Sequence, residues 1–241
     1  MKEQKITKYL KLPFQFDEKK LVHDLSLIIE NKWIPHFNTG GYEGEWKAIS
    51  LYASDGNETN IFATTCNDSA IKETAVMEKC PYLREVVGLF KCPILSVRIL
   101  KLSAGAVIKP HRDHELGYED NNFRLHIPIT TNEHVQFILD GIQLKMLPGE
   151  CWCTNVNYVH SVANKGKSDR VHLVIDGKRN AWSDDLFFSL APSESFRPIP
   201  PADDSPKTIK RIIEELEHSN QPAAKELIIE LKKKLILQNL E

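Results

Sequence analysis

Three side chains in the middle of the chain could together bind a metal ion. His111 and Asp113 are two residues apart, and on an extended strand residues with that spacing face the same side. Alone this pair is a weak signal, because a surface histidine beside a solvated aspartate gives the same pattern. His160 begins a later predicted strand and would complete a set of two histidines and one carboxylate.

That set is the ligand combination of non-haem Fe(II) oxygenases, which leaves metal positions open for a co-substrate and O₂. Arg170 lies on the next predicted strand, where burying a guanidinium is costly without an anion, and its planar fork suits a carboxylate. Arg124 and His126 share one face of the segment FRLHIPI and predict a second anion-binding position. Two carboxylates beside a metal are what 2-oxoglutarate presents.

The composition excludes several functional classes. Lys plus Arg number 31 against 33 Asp plus Glu among 241 residues, so the basic excess of a dedicated nucleic-acid binder is missing. The sequence has no apolar run of roughly eighteen residues and no N-terminal apolar core, so we expect neither a membrane span nor a signal peptide. The five cysteines lack the spacing of a zinc or redox motif, which favours free thiols in a reducing, cytoplasmic setting.

Short strands separated by turns predict a sandwich or closed barrel, whose interior can hold a small ligand. Asp140-Gly141 is a strong signal for a hairpin turn. An N-terminal helix is predicted from a cap at Asp17 to about residue 33, ended by Pro35, and a short helix at about 79–90. Strands are expected at 46–53, 94–102, 123–129, 134–141, 142–147, 150–156, 160–164 and 170–176.

After about residue 190 the composition changes. The proline-rich segment predicts a linker, which divides the chain into a domain over 1–190, a linker over 191–204 and a helical hairpin over 205–241. The hairpin could pack on its own domain, form a homodimer interface or act as a substrate lid. Its apolar stripes are Ile209, Ile212, Ile213 and Leu216 on one helix, and Leu227, Ile228, Leu231 and Leu235 on the other.

Together these motifs resemble the aspartyl/asparaginyl β-hydroxylase family of Fe(II)/2-oxoglutarate dioxygenases, which includes bacterial hydroxylases of free amino acids such as proline. The resemblance rests on VRILKLSAGAVIKPHRDHE (97–115), FRLHIPI (123–129) and NVNYVHSVANKGKSDRVHLVID (155–176). It implies a mainly β fold, a double-stranded β-helix (a cupin-like jelly roll), flanked here by N-terminal helices and the C-terminal hairpin.

The resemblance also assigns roles to residues. It places His111, Asp113 and His160 on iron and Arg170 on the distal carboxylate of 2-oxoglutarate, while Arg124 and His126 match positions near the keto-acid end. Animal protein hydroxylases of the family have glycine at the metal carboxylate, so the aspartate places this chain with the bacterial branch. It also argues against halogenation, which needs a vacant position for chloride. A serine that helps the distal carboxylate in some members has no counterpart; Leu100 falls near it.

Three further residues are candidates for substrate contact. Arg98 could bind a substrate carboxylate or form a surface salt bridge, and His114 and Glu115 could contact substrate or support the loop. The sequence therefore predicts a hydroxylase that uses Fe(II), 2-oxoglutarate and O₂ on an unactivated C–H bond. Its substrate would be an amino acid, or an Asp, Asn or Pro residue in a peptide. The alternative is a non-enzymatic jelly-roll small-molecule sensor or structural protein.

Overall fold

The structure is a computed structural model. It describes residues 6–28, 32–62 and 71–198, together with single positions near the C-terminus (206, 209, 210, 213, 214, 228, 232, 233 and 235). The chain divides into two compact units, residues 1–198 and residues 199–241. No helix in the described residues is long and apolar enough to cross a membrane.

Two antiparallel sheets build the first unit. In spatial order the large sheet contains β1 (Tyr9–Gln15), β11 (Glu150–Thr154), β8 (Asn122–Thr130), β13 (Arg170–Lys178), β6 (Ile94–Leu102), β4 (Trp46–Ala53) and β2 (Ile34–Pro35), and β5 (Lys72–Glu73) also pairs with β4. The small sheet contains β10 (Ile142–Leu144), β9 (Val135–Leu139), β12 (His160–Asn164), β7 (Val107–His111) and β3 (Tyr42–Glu43). From β6 onward the chain alternates between the sheets, apart from the β9–β10 hairpin within the small sheet; this is the winding of a double-stranded β-helix and confirms the predicted fold.

The two faces of the large sheet carry different chemistry. On β13, Val171, Leu173 and Ile175 join the hydrophobic core, which also takes in residues of α1 (Glu18–Ser26), α2 (Pro81–Gly88) and α3 (Ala181–Phe188). Each such side chain contributes about 1.5–3 kcal/mol on burial. Successive residues of a strand face opposite sides, so Arg170 and Asp176 lie on the other face, where they are buried as well.

The N-terminal helix is shorter than the sequence predicts. Asp17 is its cap, since the side chain accepts hydrogen bonds from the amides of Lys19 and Lys20 at 2.9 and 3.1 Å. The α-helix nevertheless ends at Ser26, and the prediction that Pro35 terminates it is wrong. Pro35 instead belongs to β2 at the edge of the large sheet, a place where a missing amide hydrogen costs no ladder bond.

The hairpin turn is confirmed. Asp140 and Gly141 have φ angles of 47° and 77°, and the flanking Leu139 and Ile142 pair across it, as a two-residue turn with both central residues at positive φ requires. Each predicted strand is present, with ends shifted by a few residues at most. The longer elements β1, β7 and α3 were not predicted, and neither were the two-residue strands β2, β3 and β5.

The proposed linker and hairpin are only partly described. Ser193–Ser195 is a short 3-10 helix of the first unit, and Phe196 packs against its core. In the second unit every described position is helical, and Ile209 and Ile213 are buried while Lys210 and Glu214 are exposed, as the first amphipathic stripe predicts. Ile212, Leu216, Leu227 and Leu231 lie outside the described residues. The division at 1–190, 191–204 and 205–241 stays a prediction.

Candidate metal and keto-acid site

The structure brings His111, Asp113 and His160 together. The two histidines are cross-strand partners on β7 and β12, and the three residues offer ligand atoms that all lie within 4.8 Å of one another. Asp113 lies beyond the end of β7, so a turn rather than strand alternation aims its side chain. The amide of Asp113 anchors that turn by donating to the carbonyl of Val156 at 2.9 Å.

Hydrogen bonds to the backbone orient both imidazoles. The Nδ1 atom of His111 lies 2.8 Å from the carbonyl oxygen of Lys109, and that of His160 lies 3.0 Å from the carbonyl oxygen of Tyr158. A carbonyl can only accept, so Nδ1 carries the proton in each ring and Nε2 is left to bind a metal. Burial, together with the neighbouring His111, lowers the pKa of His160 to about 4, which keeps the ring neutral as ligation requires.

The two oxygens of Asp113 have different partners. Oδ1 lies 3.8 Å from Nε2 of His111, whereas Oδ2 accepts a hydrogen bond from Nη1 of Arg124. Burial would raise the pKa of Asp113, but the nearby Arg124 and the two histidines outweigh it, so the pKa lies below its ordinary value. The group is therefore a carboxylate, with one oxygen facing the histidines.

Arg124 also belongs to a buried ionic network centred on Asp176. The Oδ1 atom of Asp176 accepts from Nε of Arg124 at 2.7 Å, and Oδ2 accepts from Nη2 of Arg98 at 2.8 Å and from Ser96 at 2.8 Å. Arg98 also donates to the carbonyl of Ile61 at 3.1 Å. The surface salt bridge considered for Arg98 is thus wrong, because the residue is 3% exposed; its alternative role in substrate binding stays a prediction.

Arg170 presents the opposite situation. It is 2% exposed; its Nη2 lies 2.9 Å from Nδ1 of His172, and its guanidinium lies over the ring of Phe137, 5.9 Å from the centroid. Among the described residues its Nε has no hydrogen-bond partner and no carboxylate forms an ion pair with it. Burial lowers the pKa of Arg170 to about 9, so it stays cationic near neutral pH.

His126 lines the same interior and is also short of partners. Both ring nitrogens are buried without a hydrogen bond among the described residues, and the ring meets Phe137 edge-on with centroids 5.5 Å apart. Unpaired buried polar groups are costly in a closed protein. Arg170 and His126 therefore fit a polar, anionic ligand.

His114 and Glu115 lie on the loop after the metal carboxylate, and both are exposed. Glu115 has a φ of 59°, and its carbonyl accepts from the side chain of Asn122 at 2.9 Å. That bond fixes the loop backbone and leaves both side chains free to meet a substrate. Contact of these two side chains with a substrate stays a prediction.

Sequence reasoning missed two residues near the site, Asp176 and His36. His36 stacks on Trp46 with ring centroids 3.5 Å apart; burial, with a contribution from Arg98, lowers its pKa to about 3. Of these two residues, only Asp176 could have been suspected from the sequence, because it is an acidic residue on the polar face of a predicted strand that also holds Arg170. Its partners could not be read from sequence, because they come from other strands.

Comparison with known proteins places this site in context. Residues 15–180 match the family model described as aspartyl/asparaginyl β-hydroxylase. The chain is 29% identical over 170 residues to L-proline cis-4-hydroxylase of Rhizobium meliloti (strain 1021) and 27% identical over 165 residues to L-proline cis-3-hydroxylase 2 of a Streptomyces species. These alignments cover 70% and 67% of this chain and 60% and 57% of the relatives, so the chain spans less than two thirds of their length.

One solved structure supports the fold. It is an oxidoreductase of the 2OG-Fe(II) oxygenase family from Burkholderia pseudomallei, 14% identical to this chain, with a TM-score of 0.50. The superposition covers 72% of this chain and 86% of that one. At that identity the likeness concerns the fold alone.

Proposed function

This chain belongs to the aspartyl/asparaginyl β-hydroxylase family, and we propose that it is a hydroxylase dependent on Fe(II), 2-oxoglutarate and O₂. His111, Asp113 and His160 would hold the iron, and Arg170 would bind the distal carboxylate of 2-oxoglutarate, with His126 beside it. Bound iron would supply the chemistry that splits O₂ between a hydroxylated product and succinate, with release of CO₂.

The observation that carries this proposal is the buried, cationic Arg170, which has no carboxylate partner among the described residues, in a jelly roll that also assembles the three metal ligands. Burying such a charge alone costs several kcal/mol, which a bound dicarboxylate would offset. The inner wall around Arg170 is closed to water, and a dry pocket strengthens its hold on the ligand. A sensor of the same fold would need the keto-acid pocket but not the three ligands.

The relatives named as proline hydroxylases support an amino acid as substrate, either free or as an Asp, Asn or Pro residue in a peptide. Arg98, His114 and Glu115 remain the candidates for contact with it. A panel of amino acids and peptides, scored by mass spectrometry for the gain of one oxygen, would identify the substrate. Keto-acid binding without any oxygenated product across that panel would favour the sensor.

The metal assignment has a direct test. Anaerobic Fe(II) together with 2-oxoglutarate should give a visible charge-transfer band, and His160→Ala should abolish it because two ligands hold Fe(II) poorly. His134→Ala is the matched control, since the side chain of His134 is 61% exposed and lies outside the site. An unchanged band in His160→Ala would remove His160 from the metal.

We further propose a cytoplasmic setting and a homodimer through the hairpin. Four of the five cysteines, at 80, 92, 151 and 153, lie in the described residues and are free thiols, which suits a reducing compartment. A chain truncated after about residue 203 should keep keto-acid binding, since all proposed ligands precede that point. Light scattering would show whether it loses a dimeric mass.

A further inference from the structure

We propose that Asp176 and Arg124 form a relay that positions the carboxylate of Asp113 for the metal. The inference rests on the proposed metal site. In this relay Asp176 fixes the guanidinium of Arg124, and Arg124 in turn fixes one oxygen of Asp113. Neither residue would touch the metal, so both are positioning residues.

Sheet register builds the first half of the relay. Asp176 on β13 lies directly across from Arg124 on β8 and from Ser96 on β6. Arg124 donates to Oδ1 of Asp176 from Nε at 2.7 Å and to Oδ2 from Nη2 at 3.1 Å. Such a two-point contact fixes the plane of the guanidinium as well as its position. Because Asp176 is 1% exposed, water does not compete for these bonds.

The second half crosses from the large sheet to the metal loop. Asp113 lies beyond the end of β7, and its side chain is 29% exposed, so neither the strand nor packing alone determines its rotamer. The remaining terminal nitrogen of Arg124, Nη1, donates to Oδ2 of Asp113. This leaves Oδ1 toward His111, as a carboxylate binding through one oxygen requires. Partners of this kind change metal affinity by roughly 10- to 100-fold in other metal sites.

Electrostatics and positioning predict opposite results for the loss of Arg124. A guanidinium next to a divalent cation is repulsive, so removing it should tighten metal binding if charge alone matters. If Arg124 instead holds Asp113 in the productive orientation, its removal should weaken metal binding. The sign of the change in affinity therefore separates a relay from a charge effect.

The test uses the full chain and Co(II) alone, without keto acid, so that any contact between Arg124 and the co-substrate is excluded. Calorimetry gives the dissociation constant, and the visible absorption of bound Co(II) reports how the carboxylate coordinates. Arg124→Gln should weaken binding by roughly tenfold or more and alter the spectrum. Arg124→Lys keeps the charge but loses the fork and should restore only part of the affinity.

Asp176→Asn should weaken Co(II) binding when it is the only change. In a chain that already carries Arg124→Gln, the same substitution should weaken binding by less than about a further threefold, because the effects of coupled residues are not additive. Asp184→Asn is the matched control: it removes the carboxylate from the Arg179–Asp184 pair, away from the metal ligands, and should leave Co(II) binding unchanged. Circular dichroism checks that each variant folds. Should Asp176→Asn fail to fold, the two Arg124 variants decide the question.

Equal or tighter Co(II) binding in Arg124→Gln would overturn the relay while leaving the metal site intact. If the losses of Co(II) affinity from the two substitutions add in full in the double variant, Asp176 does not act through Arg124, and the relay is likewise overturned. Absence of Co(II) binding in the wild-type protein would overturn the metal site itself and the relay with it.

Discussion

The interior holds buried arginines in two contrasting states. Arg98 and Arg124 share the carboxylate of Asp176, and Arg124 also binds Asp113. Arg170, on the same strand as Asp176, has a histidine and an aromatic ring as neighbours and no carboxylate among the residues the structure describes. All three arginines are buried, so burial alone does not distinguish them.

The buried arginines differ in the groups that balance their positive charge. The charges of Arg98, Arg124, Asp113 and Asp176 sum to zero within the protein, which suits groups whose task is to hold geometry. Within the described part of the chain no carboxylate balances the charge of Arg170, which suits a group whose partner arrives from solution. A buried cation that has no carboxylate partner among the described residues thus indicates a ligand more directly than an arginine that is already paired.

The largest expected effect concerns the unpaired arginine. Arg170→Ala should weaken 2-oxoglutarate binding by roughly thirty- to several-thousand-fold, as a buried Arg–carboxylate contact of about 2–5 kcal/mol implies. Arg170→Lys should recover only part, because an ammonium cannot make the paired contact. The measurement is an anaerobic titration of the charge-transfer band. Normal keto-acid dependence in Arg170→Ala would mean that another group holds the distal carboxylate.

The free energy of unfolding should depend more on the paired Arg98 than on Arg170, the reverse of the order expected for keto-acid binding. Arg98→Met removes one partner of the buried Asp176 and should lower the free energy of unfolding by about 2–3 kcal/mol, somewhat less than the full cost of breaking a buried pair because Arg124 and Ser96 remain. Arg170→Met breaks no ion pair among the described residues and should leave the ligand-free protein as stable or more so. Urea unfolding measures the free energy of unfolding of both variants, and an equal loss in the two would contradict this prediction.

The lowered pKa of Arg170, about 9, predicts a pH dependence of keto-acid binding. Below pH 9 the guanidinium is already charged and binds the carboxylate. Above it, binding must first take up a proton, so affinity should fall, approaching tenfold per pH unit. Anaerobic titrations from about pH 7.5 to about pH 10 test this. The residual affinity of Arg170→Ala for 2-oxoglutarate should not fall in this way with pH. An affinity of the wild-type protein that does not change with pH would contradict the lowered pKa of Arg170.

The smallest effect is expected from a neighbour of Arg170. Leu100 pairs with His172 across β6 and β13, near the position where some family members carry a serine. Leu100→Ser should tighten 2-oxoglutarate binding by roughly two- to twelve-fold, the worth of about 0.5–1.5 kcal/mol for one added hydrogen bond. Leu100→Ala, which makes the same space without a donor, is the control. Equal behaviour of the two variants would show that the hydroxyl does not reach the ligand.

Local signals in the sequence predicted much of this architecture. The cap at Asp17 and the turn at Asp140-Gly141 depend on neighbouring residues only, and strands such as β6 and β12 carry their alternation within nine residues or fewer. Strand β1 was missed because YLKLPFQ follows a basic segment and contains a proline, which lowers strand propensity. Its pairing with β11 supplies the stabilisation that the local sequence lacks.

The residues of the candidate site likewise fall into those that local sequence predicts and those that it does not. His111, Asp113 and Arg170 could be proposed from residue type and spacing, because few combinations of such groups serve a metal and a dicarboxylate. The bonds of Asp176 to Arg98 and Arg124 could not, since they depend on the register of β13 against two strands distant in the chain. Sequence spacing carries no record of that register. The same holds for His36, whose stacking on Trp46 depends on the pairing of β2 with β4.

The position of β13 between β8 and β6 has a consequence for how the molecule can open. This strand is hydrogen-bonded along both edges over nearly its whole length, so its amide protons should exchange with solvent only through global unfolding. Arg170 and Asp176 thus sit on an internal strand of the large sheet, whereas Asp113 sits on a loop. Local opening that exposes the site should therefore begin at the loop of Asp113 rather than at the strand that carries both charges.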